Sequence, residues 1–444
     1  MTAQAIPATK SILVQDARMS ARNAAEKRFR SYGLAAIVFS LGMLGFILWT
    51  IFADGVSSFR QASVVFPVEL TEKTLDPKGA RDPAQLAKIT TVGYGKVIVK
   101  AFAAMLADQG IVVEGLTDKD MTAFISKEAA AILRQKVLAD PTQIGTTVGF
   151  TAFASGRIDG YMKGRVTRET AANDANVTPA QLQLADILRD KGTLTQTFNW
   201  GFITGTDASD QRPESAGLGV AILGSAYMMI IVLVLSLPIG VAASIYLEEF
   251  APKNRWTDLI EVNISNLAAV PSIVFGILGL AIFINFAGFP QSSSLVGALV
   301  LTLMTLPTII IATRASLKAV PPSIRDAALG VGASKTQTVF HHVLPLAMPG
   351  VLTGAIIGLA RALGETAPLL LIGMVAFVKE YPKSPPEGFL DPASALPVQI
   401  YQWTQRSDPA FVERASGAII VLLIFLLTMN AAAILLRRRF ERRW

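Results

Sequence analysis

Six stretches of the chain stay apolar for about the twenty residues a helix needs to cross a bilayer. They run from Gly33 to Ala53, Leu218 to Leu247, Leu267 to Gly288, Leu295 to Leu317, Met348 to Val378 and Glu413 to Leu436. The second and fifth are longer than one crossing requires, which implies tilt or an interfacial end. Between the first and second, residues Asp54 to Ala216 lose this pattern and are numerous enough to form a domain. Helices are predicted there over Asp118 to Leu138 and Pro179 to Arg189. Thr117 with Asp120 and Thr178 with Gln181 have capping-box spacing, and Pro179 suits a first helical position. Extended segments are expected at SVVFPVEL, KVIVKAF, TTVGFTAFASGRIDGYMKGRV and TQTFNWGFITG, all rich in β-branched and aromatic residues. The fold class is an all-α polytopic membrane protein of six transmembrane helices with an inserted α+β domain.

Composition agrees, since 52% of the 444 residues are hydrophobic and only 16% charged. No cysteine is present and the two histidines, His341 and His342, are neighbours that point apart on a helix, so neither a metal centre nor a bound cofactor is expected. The formal charge of +7 matters by where it sits. Lys10, Arg18, Arg22, Lys27, Arg28 and Arg30 crowd the tail of residues 1–32, and RRRFERRW closes the chain from residue 437. Lysine and arginine at span ends stay cytoplasmic, so both termini are expected inside, as an even number of spans requires. The first span, 33–53, ends WTIFADG and not in small residues of A-x-A type, which favours an uncleaved anchor over a signal peptide. Residues 54–216 then lie on the periplasmic side of an inner membrane. Their own basic residues are no objection, because long translocated segments escape the positive-inside bias.

The strongest functional signal lies in the cytoplasmic loop of residues 320–345, within VPPSIRDAALGVGASKTQTVFHHVLPLAMPG. Pro321 and Pro322 end the helix before it, Asp326 to Gly332 form a short amphipathic segment, and Pro345 and Pro349 punctuate the return to the membrane. A short helix with one polar and one small apolar side suits a groove on a partner protein. GVGASKT half matches a phosphate-binding loop, but Ser334 stands in place of the glycine before the lysine and no strand precedes it, so no ATPase site is encoded. DAALGVG followed by VLP resembles the EAA loop of ABC-transporter permeases, the helix that couples them to their ATPase. The resemblance assigns coupling to Asp326, Ala327, Ala328, Gly332, Leu344 and Pro345. Asp326 replaces the family's usual glutamate, and His342 stands where an apolar residue is usual ahead of LP.

PIGVAASIYLEEFAP, VPSIVFG and GETAPLL narrow the resemblance, over residues 217–436, to phosphate-specific ABC permeases of the PstA type, with a type I, MetI-like permease fold. A subset of PstA-type proteins is similar to this chain in carrying an N-terminal periplasmic insertion of unassigned function. Arg361 and Glu365 are four residues apart and so share one helix face, in a stretch where a charge facing lipid costs about 2.5–3.5 kcal/mol. They are expected to face protein or a water-lined path. Gly364 and Pro368 weaken the helix beside them and suit a gate or kink. Arginine supplies the fixed fork of donors an oxyanion needs, Glu365 would hold it in place, and Thr366 is a further donor. In PstA-type permeases the matching arginine and glutamate are implicated in transport. The alternative is a buried ion pair that only orients helices. Arg314 either lines the path or snorkels to the surface.

The resemblance implies a permease that forms half of a transmembrane pore with a second, PstC-type permease subunit. Two copies of a cytoplasmic PstB-type ATPase would power it and a periplasmic phosphate-binding protein would supply it. No covalent chemistry and no nucleic-acid partner are implied. Two other functions stay open, namely the same fold importing sulfate, molybdate or a phosphonate, and a membrane sensor with a periplasmic ligand-binding domain. The inserted domain either modulates docking of the binding protein or is a tolerated accessory.

Overall fold

The computed structural model describes residues 17–440 apart from 77, 78, 80, 82 and 376, so Lys10 and residues 441–444 of the basic tail lie outside the described residues. The chain divides into two compact units at Ala53 and Asp54. The described part of the first unit is helical and belongs to α1 (Ala17–Gly55), which carries the first apolar run.

The second unit opens with the inserted domain. A three-stranded antiparallel sheet has β1 (Arg60–Glu69) at its centre, between β2 (Thr147–Phe153) and β3 (Leu194–Phe198). Ala62, Val64, Phe66 and Val68 alternate along β1 and are buried, as a strand with one covered face requires. They pack on α2 (Thr91–Asp108), where Phe102 lies 5.6 Å from Phe66 and 5.5 Å from Phe124, ring centre to ring centre. The expected strand KVIVKAF is therefore helix. Tyr94, Val97, Ile98, Phe102, Met105 and Leu106 recur at helical spacing and are all buried, and that period outweighs β-branched composition.

The predicted helix from Asp118 breaks into α3 (Asp118–Phe124) and α4 (Glu128–Ala139). At the break Ile125 bridges to Ala154, and the Ser126 amide donates to the Phe153 carbonyl, so the sheet edge captures the backbone. α5 (Gly156–Met162) replaces the second half of the long extended segment expected after Thr146. α6 (Pro179–Asp190) forms as predicted, and both expected capping boxes are made. The TQTFNWGFITG segment stays extended only to Phe198, after which Asn199 caps a helical turn by accepting from the Phe202 amide.

The membrane part begins with α7 (Gly219–Ile245), prolonged by a π-helical turn, Tyr246–Phe250. The third expected span is not one straight helix. α8 (Arg255–Ala268) covers residues expected to be a loop, and α9 (Ser272–Gly279), running on as π-helical Leu280–Phe286, leaves it at 101°. Pro271 explains the break, since it has no amide to donate and disfavours helical backbone at Val270. α10 (Ser294–Lys318) matches the fourth run, and α11 (Pro322–Gly330) is the loop helix. The return to the membrane is not punctuated by prolines. A helix continues from Lys335 through the π-helical turn Thr338–Val343 into α12 (Leu344–Leu363) with Pro345 and Pro349 inside it. α12 stops at Leu363, so the fifth run ends there and not at Val378. α13 (Ala367–Leu371) is a separate short helix. α14 (Leu396–Thr404) and the long α15 (Pro409–Phe440) complete the unit. Among the described residues five helices are long and apolar enough to span a membrane, or six if the bent α8–α9 pair is one span.

Small residues bring α10 and α12 close, as is usual where lipid gives no hydrophobic drive between helices. Gly350 faces Ser316, Gly354 faces Ala312, and Gly358 faces Ile309 and Thr305, an antiparallel register.

Charged groups join the inserted domain to the start of α15. Lys163 reaches Asp159 at 2.6 Å and Glu413 at 3.0 Å, and Arg165 reaches Glu413 at 2.8 Å. Arg414, buried, donates to the Glu214 carbonyl at 2.7 Å, the Ala216 carbonyl at 2.8 Å and Gln61 Oε1 at 3.1 Å. Burial pushes the nearby Glu214 carboxyl above its ordinary range, although the Ser126 hydroxyl donates to it.

Candidate functional site

Two groups of residues singled out by sequence form separate sites in the second unit. The first is the loop helix. Pro322 occupies its first position, where a missing amide proton costs nothing, and Gly332, at φ +89°, turns the chain out of it. Ile324 faces inward against a cluster of Ile245, Leu317, Val320, Val339 and Val343, half-buried Leu344 packs there too, and Ala328 is buried. Asp326, Ala327, Leu329, Gly330 and Val331 are exposed, so the segment presents a small, mixed apolar and acidic face. Ala328 thus supports the helix, whereas Asp326 and Ala327 are free to meet another protein. Pro345 is half-buried in the following helix, and His341 and His342 are exposed.

Two groups that sequence reasoning passed over, Arg325 and Lys335, brace this region. Arg325 donates to Glu249 Oε1 at 2.6 Å, to the Leu317 carbonyl at 2.9 Å and to the Val320 carbonyl at 2.8 Å. Lys335 stands 5.3 Å from the Phe250 ring centre. Arg314 pairs with Glu248 at 3.3 Å and with Glu261 of α8, and its side chain is 14% exposed. The signal available in sequence was YLEEF itself, two adjacent acids at the end of a span.

The second site is GETAPLL. Arg361 sits in the last turn of α12 and Glu365 lies beyond its end, so the two do not share a continuous helix face. The turn nevertheless keeps Arg361 Nε 3.8 Å from Glu365 Oε1, an ion pair too long to be a hydrogen bond. Arg361 is 47% exposed and Glu365 19%. Glu365 is the one ion-pair partner Arg361 has among the described residues. Pro368 does not kink α12. The helix has already ended at Leu363, and Pro368 sits at the start of α13, while half-buried Thr366 precedes it. Gly358, one turn before Arg361, meets Thr305 near the middle of α10, so α12 ends about half-way along its neighbour. The bent pair meets the same place: a side chain at Gly276 of VPSIVFG would put its first carbon 2.7 Å from Pro368 Cα, and only glycine allows that crossing.

A helix broken half-way across a bundle, with a charge at the break and a second broken helix packed on it, is the arrangement in which membrane transporters build substrate sites. Comparison with known proteins gives the family. A family model described as "Binding-protein-dependent transport system inner membrane component" matches residues 236–444. Phosphate transport system permease protein PstA 1 of Mycobacterium tuberculosis (strain CDC 1551 / Oshkosh) is 33% identical over 228 residues, 51% of this chain and 72% of its own. The chain belongs to this family of binding-protein-dependent permeases. The probable ABC transporter permease protein YqgI of Bacillus subtilis (strain 168) is 32% identical over 51% of this chain and 80% of its own, and PstA of Xylella fastidiosa (strain Temecula1 / ATCC 700964) is 31% identical over 51% and 77%. Residues 16–172 match a separate model, "Domain of unknown function (DUF3333)". Like other permeases of the family, the chain is a multi-pass membrane transport subunit and not an enzyme.

Proposed function

We propose that this permease imports inorganic phosphate, as one half of a transmembrane path whose other half is a second permease subunit. Two copies of a separate ATPase drive it, and a phosphate-binding protein delivers the substrate on the side of the inserted domain. The termini lie in the cytoplasm and the inserted domain in the periplasm. The observation that carries this function is Arg361, a guanidinium half exposed at mid-span and held by a single loose partner. An arginine so placed is costly against lipid and is best satisfied by protein or a water-lined path, and its planar fork of donors matches phosphate oxygens. Glu365 limits its swing and keeps the empty site near neutral, and the Thr366 hydroxyl adds a donor. Relatives named as phosphate permeases support phosphate over other oxyanions. Restoration of radiolabelled phosphate uptake to a strain lacking this chain tests the function; a strain whose phosphate uptake is unaffected by the deletion would overturn it.

Asp326, Ala327 and Leu329 present the docking face to the ATPase, and Gly332 sets the angle at which the chain leaves it. Gly332 has open space around it, so a substitution there acts through backbone strain alone. A β-branched residue is an outlier at positive φ. Gly332→Val is therefore expected to leave the spans folded and to abolish stimulation of ATP hydrolysis by the binding protein. Normal stimulation in the purified complex would remove this segment from the coupling surface.

A further inference from the structure

Resting on the proposed transport function, a second question is how motion at α11 reaches the broken helices at Arg361. α11 touches ordinary apolar side chains, which slide easily, but it also carries Arg325. That one guanidinium joins three elements: it belongs to α11, it donates to the Leu317 carbonyl in the last turn of α10 and to the Val320 carbonyl just past it, and it grips Glu249 in the turn that ends α7. Glu249 is nearly buried, so the pair is poorly screened and is held by two donors in a fixed fork. The neighbouring acid faces another way. Glu248 takes Arg314 of α10 at 3.3 Å and Lys318 at 3.6 Å, and Arg314 passes on to Glu261 of α8. α8 is the outer arm of the bent pair whose inner arm, α9, meets Pro368 through Gly276.

We propose that Glu248 and Glu249 form the joint that transmits movement of the loop helix, Glu249 through Arg325 to α7 and α10, and Glu248 through Arg314 and Glu261 to the bent arm at the substrate site. The connections from the loop helix to α8 are charged contacts with directional geometry, and only the last, from α9 to Pro368, is close backbone packing at Gly276. Glu249, Arg325 and Glu261 are positioning residues, since none of them touches substrate or nucleotide in this arrangement.

The two branches predict different failures in the complete complex, reconstituted with its ATPase, second permease and binding protein. Glu249→Gln breaks the connection next to α11, so the binding protein's stimulation of ATP hydrolysis should fall about 5-fold or more. Glu261→Gln leaves Arg325–Glu249 and Arg314–Glu248 in place. Stimulation should persist while phosphate moved per ATP hydrolysed falls by a similar factor. Amounts of co-purified ATPase normalise both readings, and a merely structural role would lower assembly without changing the ratio per assembled complex. Arg325→Lys should behave as Glu249→Gln does, because a point charge cannot bridge a carboxylate and two carbonyls at once. Wild-type stimulation and wild-type phosphate-to-ATP ratio in both Glu249→Gln and Glu261→Gln would overturn the joint. Should Glu249→Gln fail to assemble, an unchanged ratio in Glu261→Gln suffices to overturn it. Absence of binding-protein stimulation in the wild-type complex would instead overturn the transport function.

Discussion

Arg361→Lys is expected to cut phosphate uptake by about tenfold or more at unchanged abundance in the membrane, although it keeps the charge. A hydrogen bond to a charged group contributes roughly 1.5–3 kcal/mol, and a lysine gives up the fork that makes two such bonds in one plane. The side chain is 47% exposed within this chain and only loosely tied to Glu365, so its replacement removes little packing. Transport, and not folding, should therefore register the change. Glu365→Gln should impair uptake less, by leaving Arg361 free to swing away from the break. Wild-type uptake by Arg361→Lys would take the residue out of the substrate path. If Glu365→Gln and a doubly neutral variant also transport normally, the pair is structural at most.

The second large effect concerns the inserted domain. Inserted domains in exposed loops are often dispensable, and sequence alone makes this one a candidate for removal. Its charged contacts with α15 argue otherwise. Replacing residues 60–210 with a flexible linker would remove Lys163 and Arg165 from Glu413, and Gln61 from Arg414. Stranding one partner of a buried pair costs about 3–5 kcal/mol, comparable with the whole stability of many domains. The linker variant is expected to disappear from the membrane, measured by quantitative immunoblot of washed membranes. Adding Glu413→Gln and Arg414→Gln to it should recover part of the protein, because neutral amides at the same positions no longer need counter-charges. Normal membrane levels of the linker variant, with unchanged uptake, would show that the domain is an accessory and its ion pairs incidental.

Legibility in the sequence follows the range of the forces involved. Apolar runs of span length are a local property, and the spans matching α7, α10 and α15 were readable to within a few residues. The loop helix was readable because its prolines, its small residues and Gly332 are local signals. What failed was wherever two local signals competed or the deciding partner was remote. In KVIVKAF, β-branched composition competed with a helical period that only the packing of Phe102 on Phe66 resolves. α8 was hidden because Asp258, Glu261, Asn263 and Asn266 lower its hydropathy to that of a loop, while Trp256, Leu259 and Ile260 give it an apolar side. Pro271 stood in plain view inside the third run, yet apolar length outvoted it. In GETAPLL the pairing of Arg361 with Glu365 is legible from their spacing, but not that the helix ends between them. Sequence does not decide between a path and a surface for Arg314, because its partners, Glu248 and Glu261, are 66 and 53 residues away. Arg325 carries no local signal for the same reason, its partner Glu249 being 76 residues away.

The most direct measurement of the central claim is ATP-driven uptake of radiolabelled phosphate into vesicles holding this permease with its partner permease, ATPase and binding protein. Unlabelled phosphate, sulfate, molybdate and a phosphonate serve as competitors. The account predicts uptake that requires ATP and the binding protein, is competed by phosphate well ahead of the other anions, and is lost in Arg361→Lys. Phosphate uptake that is absent, or that is preserved in Arg361→Lys and displaced better by another oxyanion, would contradict it.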